Sequence, residues 1–168
     1  QLFAAENCIF YLIHAYSPPM PEPTNTMTSA STAKKLIDMA HKSAQQGLDE
    51  VLEQIQTSFM NTKHSFETIP SFGFLTDVID EVGKEKDVDL VVMGTKGASG
   101  LKEIVIGSNT SRIIGGSNYP LIVVPENAIY DTLKEVAFMT DYDYYFERAE
   151  INPLVELVKQ SGAELHIT

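Results

Sequence analysis

The chain has 168 residues, 43% of them hydrophobic, and 12 Lys and Arg face 23 Asp and Glu for a formal net charge of −11. That length supports one full core, and the acidic balance argues against a nucleic-acid partner, whose phosphates demand basic patches; the bases here are scattered, and Lys34-Lys35 opens a helix instead of building a stripe. No apolar run approaches the ~20 residues that span a bilayer, no signal-peptide pattern marks the first residues, and the single cysteine, Cys8, excludes a disulfide framework, so a cytoplasmic protein without a membrane partner is expected.

Residues 8–15 are an apolar run and predict a strand, and residues 17–32, rich in Pro, Ser and Thr, predict a long surface loop. Apolar residues from Ala33 through Leu36, Ile37, Ala40, Ala44, Leu48, Val51, Leu52 and Ile55 to Phe59 recur at helical spacing, with Ser31 or Thr32 as cap. Gly47 falls inside this helix, where glycine costs about 1 kcal/mol relative to alanine. A second strand is expected over residues 64–69, interrupted by Pro70. Phe74, Leu75, Val78, Ile79 and Val82 then predict a helix that stops near Gly83.

Residues 88–93 form a β-branched run without alternation, the pattern of a parallel strand covered on both faces. Out of it runs Gly94, Gly97, Gly107 and Ser108, a G-x2-G-x9-G-S spacing. The early glycines let bare backbone N–H groups approach a ligand, Ser108 is a good N-cap, and a helix follows over residues 109–115. A strand, a glycine loop and a helix N-terminus together make a phosphate site. Residues 121–124 are the next strand. A further strand is expected over residues 135–140, a helix over 145–160 perturbed by Pro153, and the start of another strand over 162–168. Strands alternating with helices imply a parallel sheet with right-handed crossovers.

Other phosphate motifs fail. No Gly-Lys-Ser/Thr is present for a Walker loop, and Gly94, Gly97 and Gly100 are spaced three apart where a dinucleotide fingerprint needs G-x-G-x-x-G. Kinase and HxGH-type adenylyltransferase signatures are absent. Asp141-Tyr-Asp-Tyr-Tyr-Phe146 places two carboxylates among aromatics, but Asp143 is expected to cap the following helix instead of serving a metal or acid/base pair. His14 and His166 read as core or rim residues of strands, His41 and His64 lack partners at zinc-ligand spacing, and Cys8 reads as a small buried hydrophobe. No catalytic triad can be assembled, and no enzymatic activity is expected.

The stretch from Asp89-Leu-Val-Val-Met-Gly-Thr-Lys-Gly through Ile106-Gly-Ser-Asn-Thr-Ser-Arg to Pro120-Leu-Ile-Val-Val-Pro125 closely resembles the universal stress protein family, and looser similarity extends over most of the chain. The resemblance implies an α/β fold, a three-layer doubly wound parallel sheet of the Rossmann-like, adenine-nucleotide-binding kind. It implies ATP, with or without magnesium, as ligand, slow turnover at most, and a homodimer paired through the strand at 121–124. Met93 and Gly94 would then lie near the ribose or base edge, Gly97 and Gly107 along the phosphates, and Ser108, Asn109 and Thr110 would donate hydrogen bonds at the helix start. Ala15 stands where the family places a small apolar residue near adenine, Asp141 matches the aspartate that ends the opening strand, and Thr140 the proline or threonine before it. A second reading from the same resemblance is a dimerisation or partner-binding module that has kept the fold and lost the nucleotide.

Residues 136–141, Val-Ala-Phe-Met-Thr-Asp, look like the opening strand of such a domain, displaced far from the start. Residues 1–7 and 156–162 both resemble the tail of a first helix, about 155 residues apart. Residues 1–127 are therefore expected to be a universal stress protein domain lacking its first strand, and 128–168 the beginning of a second, tandem repeat. An empty central slot would leave two rows of unpaired backbone groups. The strand at 135–140 is expected to fill it, within one chain as a circular permutation or between chains as an exchange; either arrangement satisfies the backbone, and both place Thr140 and Asp141 at the nucleotide site.

Overall fold

A computed structural model describes residues 2–17, 30–95 and 107–168. In chain order they form β1 (Cys8–Tyr16), α1 (Ala30–Ser58), β2 (His64–Phe72), α2 (Leu75–Lys86), β3 (Val91–Gly94), α3 (Ser108–Gly116), β4 (Leu121–Val124), β5 (Glu135–Phe138), α4 (Arg148–Ser161) and β6 (Glu164–Ile167). The strands pair in parallel as β1-β2, β3-β4 and β5-β6. A parallel pair cannot be closed by a tight turn, and in each case the intervening helix, α1, α3 or α4, belongs to the crossover. The fold is the α/β, parallel-stranded class expected from the sequence. Its elements form two compact units: one holds β1, α1, β2 and α2, the other β3, most of α3, β4, β5, α4 and β6.

In the first unit, β1 and β2 run in register from Cys8 opposite His64 to Tyr16 opposite Phe72. β2 passes straight through Pro70, where the sequence predicts an interruption. The ladder explains it. Cys8 N–H donates to Lys63 O and Gly73 N–H to Tyr16 O, each at 3.0 Å, so odd-numbered residues of β2 donate to β1. Pro70 is even-numbered, and its missing N–H falls on the outer side, where proline is tolerated. α1 begins at Ala30, slightly before the expected cap, and buries Ala44 and Leu48, one turn apart on a single face. Gln45 Nε2 donates to Thr68 Oγ1 at 3.1 Å and joins the helix to β2.

The chain leaves β2 at Gly73, whose φ of 139° is open only to a residue without Cβ. α2 then buries Val78, Ile79, Val82 and Gly83 on one face. It does not stop at Gly83 as expected but continues to Lys86. Gly83 is a small buried packing residue, and the left-handed cap falls on Asp87, with φ 52°.

In the second unit, β3 and β4 pair from Val91 opposite Leu121 to Gly94 opposite Val124, and α3 buries Thr110 and Ile113. β5 and β6 pair from Glu135 opposite Glu164. α4 begins at Arg148, later than the pattern predicts, because Glu147 N–H donates to Glu150 Oε2 at 2.7 Å and fixes the start there. Asp143 is therefore not the cap; its own N–H donates to Asp141 Oδ1 at 3.1 Å. Pro153 sits inside α4 without ending it.

A Cβ built on Gly47 meets nothing within 4 Å, so Gly47→Ala should raise unfolding free energy by about 0.5–1 kcal/mol in urea titration, by removing only the helix penalty. Ile113 is 1% exposed. Ile113→Ala should cost about 2–5 kcal/mol in the same titration, with the slope unchanged.

Candidate functional site

The site is built where β3 ends. Thr95 N–H continues the ladder by donating to Val124 O at 3.0 Å, and Thr95 O accepts from Gly107 N–H at 2.8 Å. The chain thus returns at Gly107 to the point it left at Thr95. Gly107 O then accepts from Ser111 N–H at 2.9 Å, the first bond of α3. Gly107, not Ser108, is therefore the N-cap, since that residue's carbonyl closes the first helical turn. A glycine cap brings no side-chain oxygen to the first-turn N–H groups of Ser108, Asn109 and Thr110, which have no intrahelical acceptor. Ser108 and Asn109 are exposed.

Thr110 holds this arrangement from beneath. It is 2% exposed, and its hydroxyl donates to Gly94 O at 3.0 Å. The resemblance implies Thr110 as a hydrogen-bond donor at the helix start; its hydroxyl is engaged with β3, and its backbone N–H lies in the first turn of α3. Its inward position follows from α3's register, since Thr110 and Ile113 are three apart on the buried face. Thr95, whose carbonyl closes the loop, was missed in the sequence. Its signal was position alone, directly after Gly94 at the end of a strand.

Of the remaining expected residues, two end β3 itself and three lie at the ends of β1 and β5. Gly97 falls outside the described residues. Met93 and Gly94 end β3, and Ala15, half-buried, is next to last in β1. Thr140 and Asp141 follow β5 and help line an open cleft of about 460 Å³ with Met139, Tyr144 and Phe146. The described ones among these positions are thus at carboxyl ends of parallel strands, where open α/β sheets bind ligands. The structure joins Gly94, Thr95, Gly107 and Thr110 by hydrogen bonds; Ala15 belongs to the other compact unit.

Around Asp141 the loop is held by its own side chains. Tyr142 N–H donates to Thr140 Oγ1 at 3.1 Å, and Tyr142 itself takes a φ of 63°, uncommon for a bulky residue. Phe146 packs edge-on against Tyr144 and Phe138, with ring centroids 4.8 and 5.2 Å away. Among the described residues no three His, Cys, Asp or Glu gather to hold a metal. His41 Nδ1 bonds Tyr16 Oη at 3.0 Å and His64 Nε2 lies 3.0 Å from Phe3 O, while His14 and His166 are exposed. Cys8 is half-buried. No helix of the described residues is long and apolar enough to cross a membrane.

The Tyr144 hydroxyl donates to Glu150 Oε1 at 3.1 Å, and that hydrogen bond, with the carboxylate's charge, raises its pKa above 10.0. A raised folded-state pKa means that the contribution is complete below the unfolded value and fades as pH rises through the folded one. In an ultraviolet titration the ionisation of Tyr144 should lie above the value of a free tyrosine, and Tyr144→Phe should remove that step.

The comparisons agree with this architecture. The model of the universal stress protein family matches residues 1–125. Universal stress protein MJ0577 of Methanocaldococcus jannaschii is 32% identical over 73 residues, 44% of this chain and 45% of that protein. YxiE of Bacillus subtilis is 33% identical over 75 residues, 45% of this chain and 51% of its own length. The aligned stretches thus span about half the length of these relatives. In three dimensions the chain is similar to the universal stress protein UspA from Lactobacillus plantarum, with a TM-score of 0.56, 16% identity, and 72% and 80% of the two chains covered, a likeness of fold alone. With the family model spanning most of the chain, and Gly94 and Gly107 standing at a strand end and a helix cap, the chain belongs to the universal stress protein family.

Proposed function

We propose that this universal stress protein binds an adenine nucleotide, ATP, at the carboxyl end of β3, with the phosphates against the start of α3. One observation carries this reading: the Gly107–Thr95 backbone bond sets the first turn of α3 directly beside the end of β3. The first-turn N–H groups of Ser108, Asn109 and Thr110, the exposed Ser108 hydroxyl and the Asn109 amide form a neutral donor set suited to an anion. The helix dipole adds typically 0.3–1 kcal/mol in the same sense. No lysine clamp or general base is present in this donor set, so the nucleotide acts as a regulatory ligand that stabilises one conformation, and hydrolysis is slow. Magnesium would accompany the phosphates as part of the ligand.

A second reading, a dimerisation module without nucleotide, draws on β4. Among the described residues that strand pairs only with β3, and Val124 at its end is 38% exposed.

Calorimetry separates the two. ATP should bind the wild-type chain with measurable heat, and Gly107→Val, which places a branched side chain at the cap, should weaken binding at least about tenfold, or 1.4 kcal/mol. Absence of heat from the wild-type chain, or equal affinity in the variant, would overturn the nucleotide reading.

A further inference from the structure

Between β5 and α4 the chain leaves the open cleft of about 460 Å³ lined by Met139, Thr140, Asp141, Tyr144 and Phe146. Two of its walls are aromatic rings. Tyr144 and Phe146 stand at 71° to each other with centroids 4.8 Å apart, so together they make a corner and not a stack. Phe138 backs Phe146 at 5.2 Å and 65°. Met139, 80% exposed, adds a polarisable thioether side chain to the lining.

The corner is braced by hydrogen bonds within the protein. Tyr142 N–H donates to Thr140 Oγ1 and Asp143 N–H to Asp141 Oδ1, each at 3.1 Å, which holds the loop and orients the Asp141 carboxylate. The Tyr144 hydroxyl donates to Glu150 Oε1 at 3.1 Å, and Glu150 is itself tied to the start of α4 through Glu147 N–H. That donation fixes the ring and pushes electron density into it. An aromatic ring carries partial negative charge on its faces, and an enriched ring carries more. Tyr144 remains 58% exposed despite its bond to Glu150.

Charge selects the occupant. The lining holds one carboxylate, Asp141, and no Lys, Arg or His, and Glu150 stands behind Tyr144. An anion would meet like charge there. A hard metal ion needs several oxygen ligands, and among the described residues no three His, Cys, Asp or Glu gather to supply them. A neutral apolar group would strip water from Asp141 without returning a partner. A large, weakly hydrated organic cation suits every wall at once, since the ring faces attract it and the carboxylate neutralises it.

We propose that this cleft binds a quaternary ammonium group, the trimethylammonium head of a choline-like small molecule, against the Tyr144 and Phe146 rings with Asp141 as counter-ion. The proposal does not rest on the nucleotide reading. The start of α3 offers N–H donors to phosphate, whereas the cleft offers ring faces and a carboxylate to a cation.

Choline, titrated into the chain labelled at its methionine methyls and tyrosine rings and followed by NMR, tests this. The Met139 methyl and Tyr144 ring signals should shift and saturate. 3,3-Dimethylbutan-1-ol has the same shape with carbon in place of the charged nitrogen, and should bind at least about tenfold more weakly. Tyr144→Leu and Asp141→Asn should each weaken choline binding about tenfold, a loss of about 1.4 kcal/mol. Tyr144→Phe keeps the ring but loses the bond to Glu150, and should fall between wild type and Tyr144→Leu. Tyr145→Leu, at a position 90% exposed and outside the lining, should bind choline as the wild type does. Gly107→Val should lose ATP and keep choline, so each reading can fail alone. No saturable shift at Met139, equal binding of the neutral alcohol, or unaltered affinity in Tyr144→Leu and Asp141→Asn would overturn the proposal. So would displacement of choline by adenosine, which would assign the cleft to a nucleoside.

Discussion

The candidate site depends on two hydrogen bonds that tie α3 to the end of β3. Gly107 N–H on Thr95 O returns the chain to its point of departure, and the buried Thr110 hydroxyl on Gly94 O seats the helix on the strand. Such bonds are each worth about 0.5–1.5 kcal/mol net. Their geometric effect is larger than their energy, because they decide where the uncapped first turn of α3 sits. With that turn beside a strand end, N–H groups without an intrahelical acceptor and the positive end of a dipole lie where a parallel sheet presents its ligands. The same glycine spacing without this closure would be only a turn.

The architecture was readable because its signals are local. Apolar periodicity located α1 and α2, and the unalternating runs located β3 and β4 as parallel strands. The boundaries shifted where a longer-range partner decides. Pro70 looked like a break, since only the ladder shows that its missing N–H faces outward. Gly83 looked like a stop, since only packing shows that its small size serves a buried face. Asp143 looked like a cap, but Glu147 and Glu150 set the start of α4 through a bond that composition does not single out from its neighbours. At the candidate site, the spacing of Gly94, Gly107 and Ser108 located the end of β3 and the start of α3, though the cap is Gly107 and not Ser108. The sequence could not distinguish Thr110 as a strut from Thr110 as a donor, because that depends on which way the first turn of α3 faces.

Backbone satisfaction links the fold to the candidate site. A parallel strand exposes half its peptide groups on each side, and pairing in twos leaves one side of every strand for another partner. Pro70 closes this question for the outer edge of β2. At the edge of β3 that carries Val92 and Gly94, no second strand is paired among the described residues.

The central claim is that the first turn of α3 receives phosphate. Backbone amide NMR of the uniformly labelled chain, titrated with ATP and separately with adenosine, tests it residue by residue. The amides of Ser108, Asn109 and Thr110 should move with ATP and stay in place with adenosine, which lacks the anion. ATP-induced shifts that bypass those three amides, or equal shifts from adenosine, would contradict the claim.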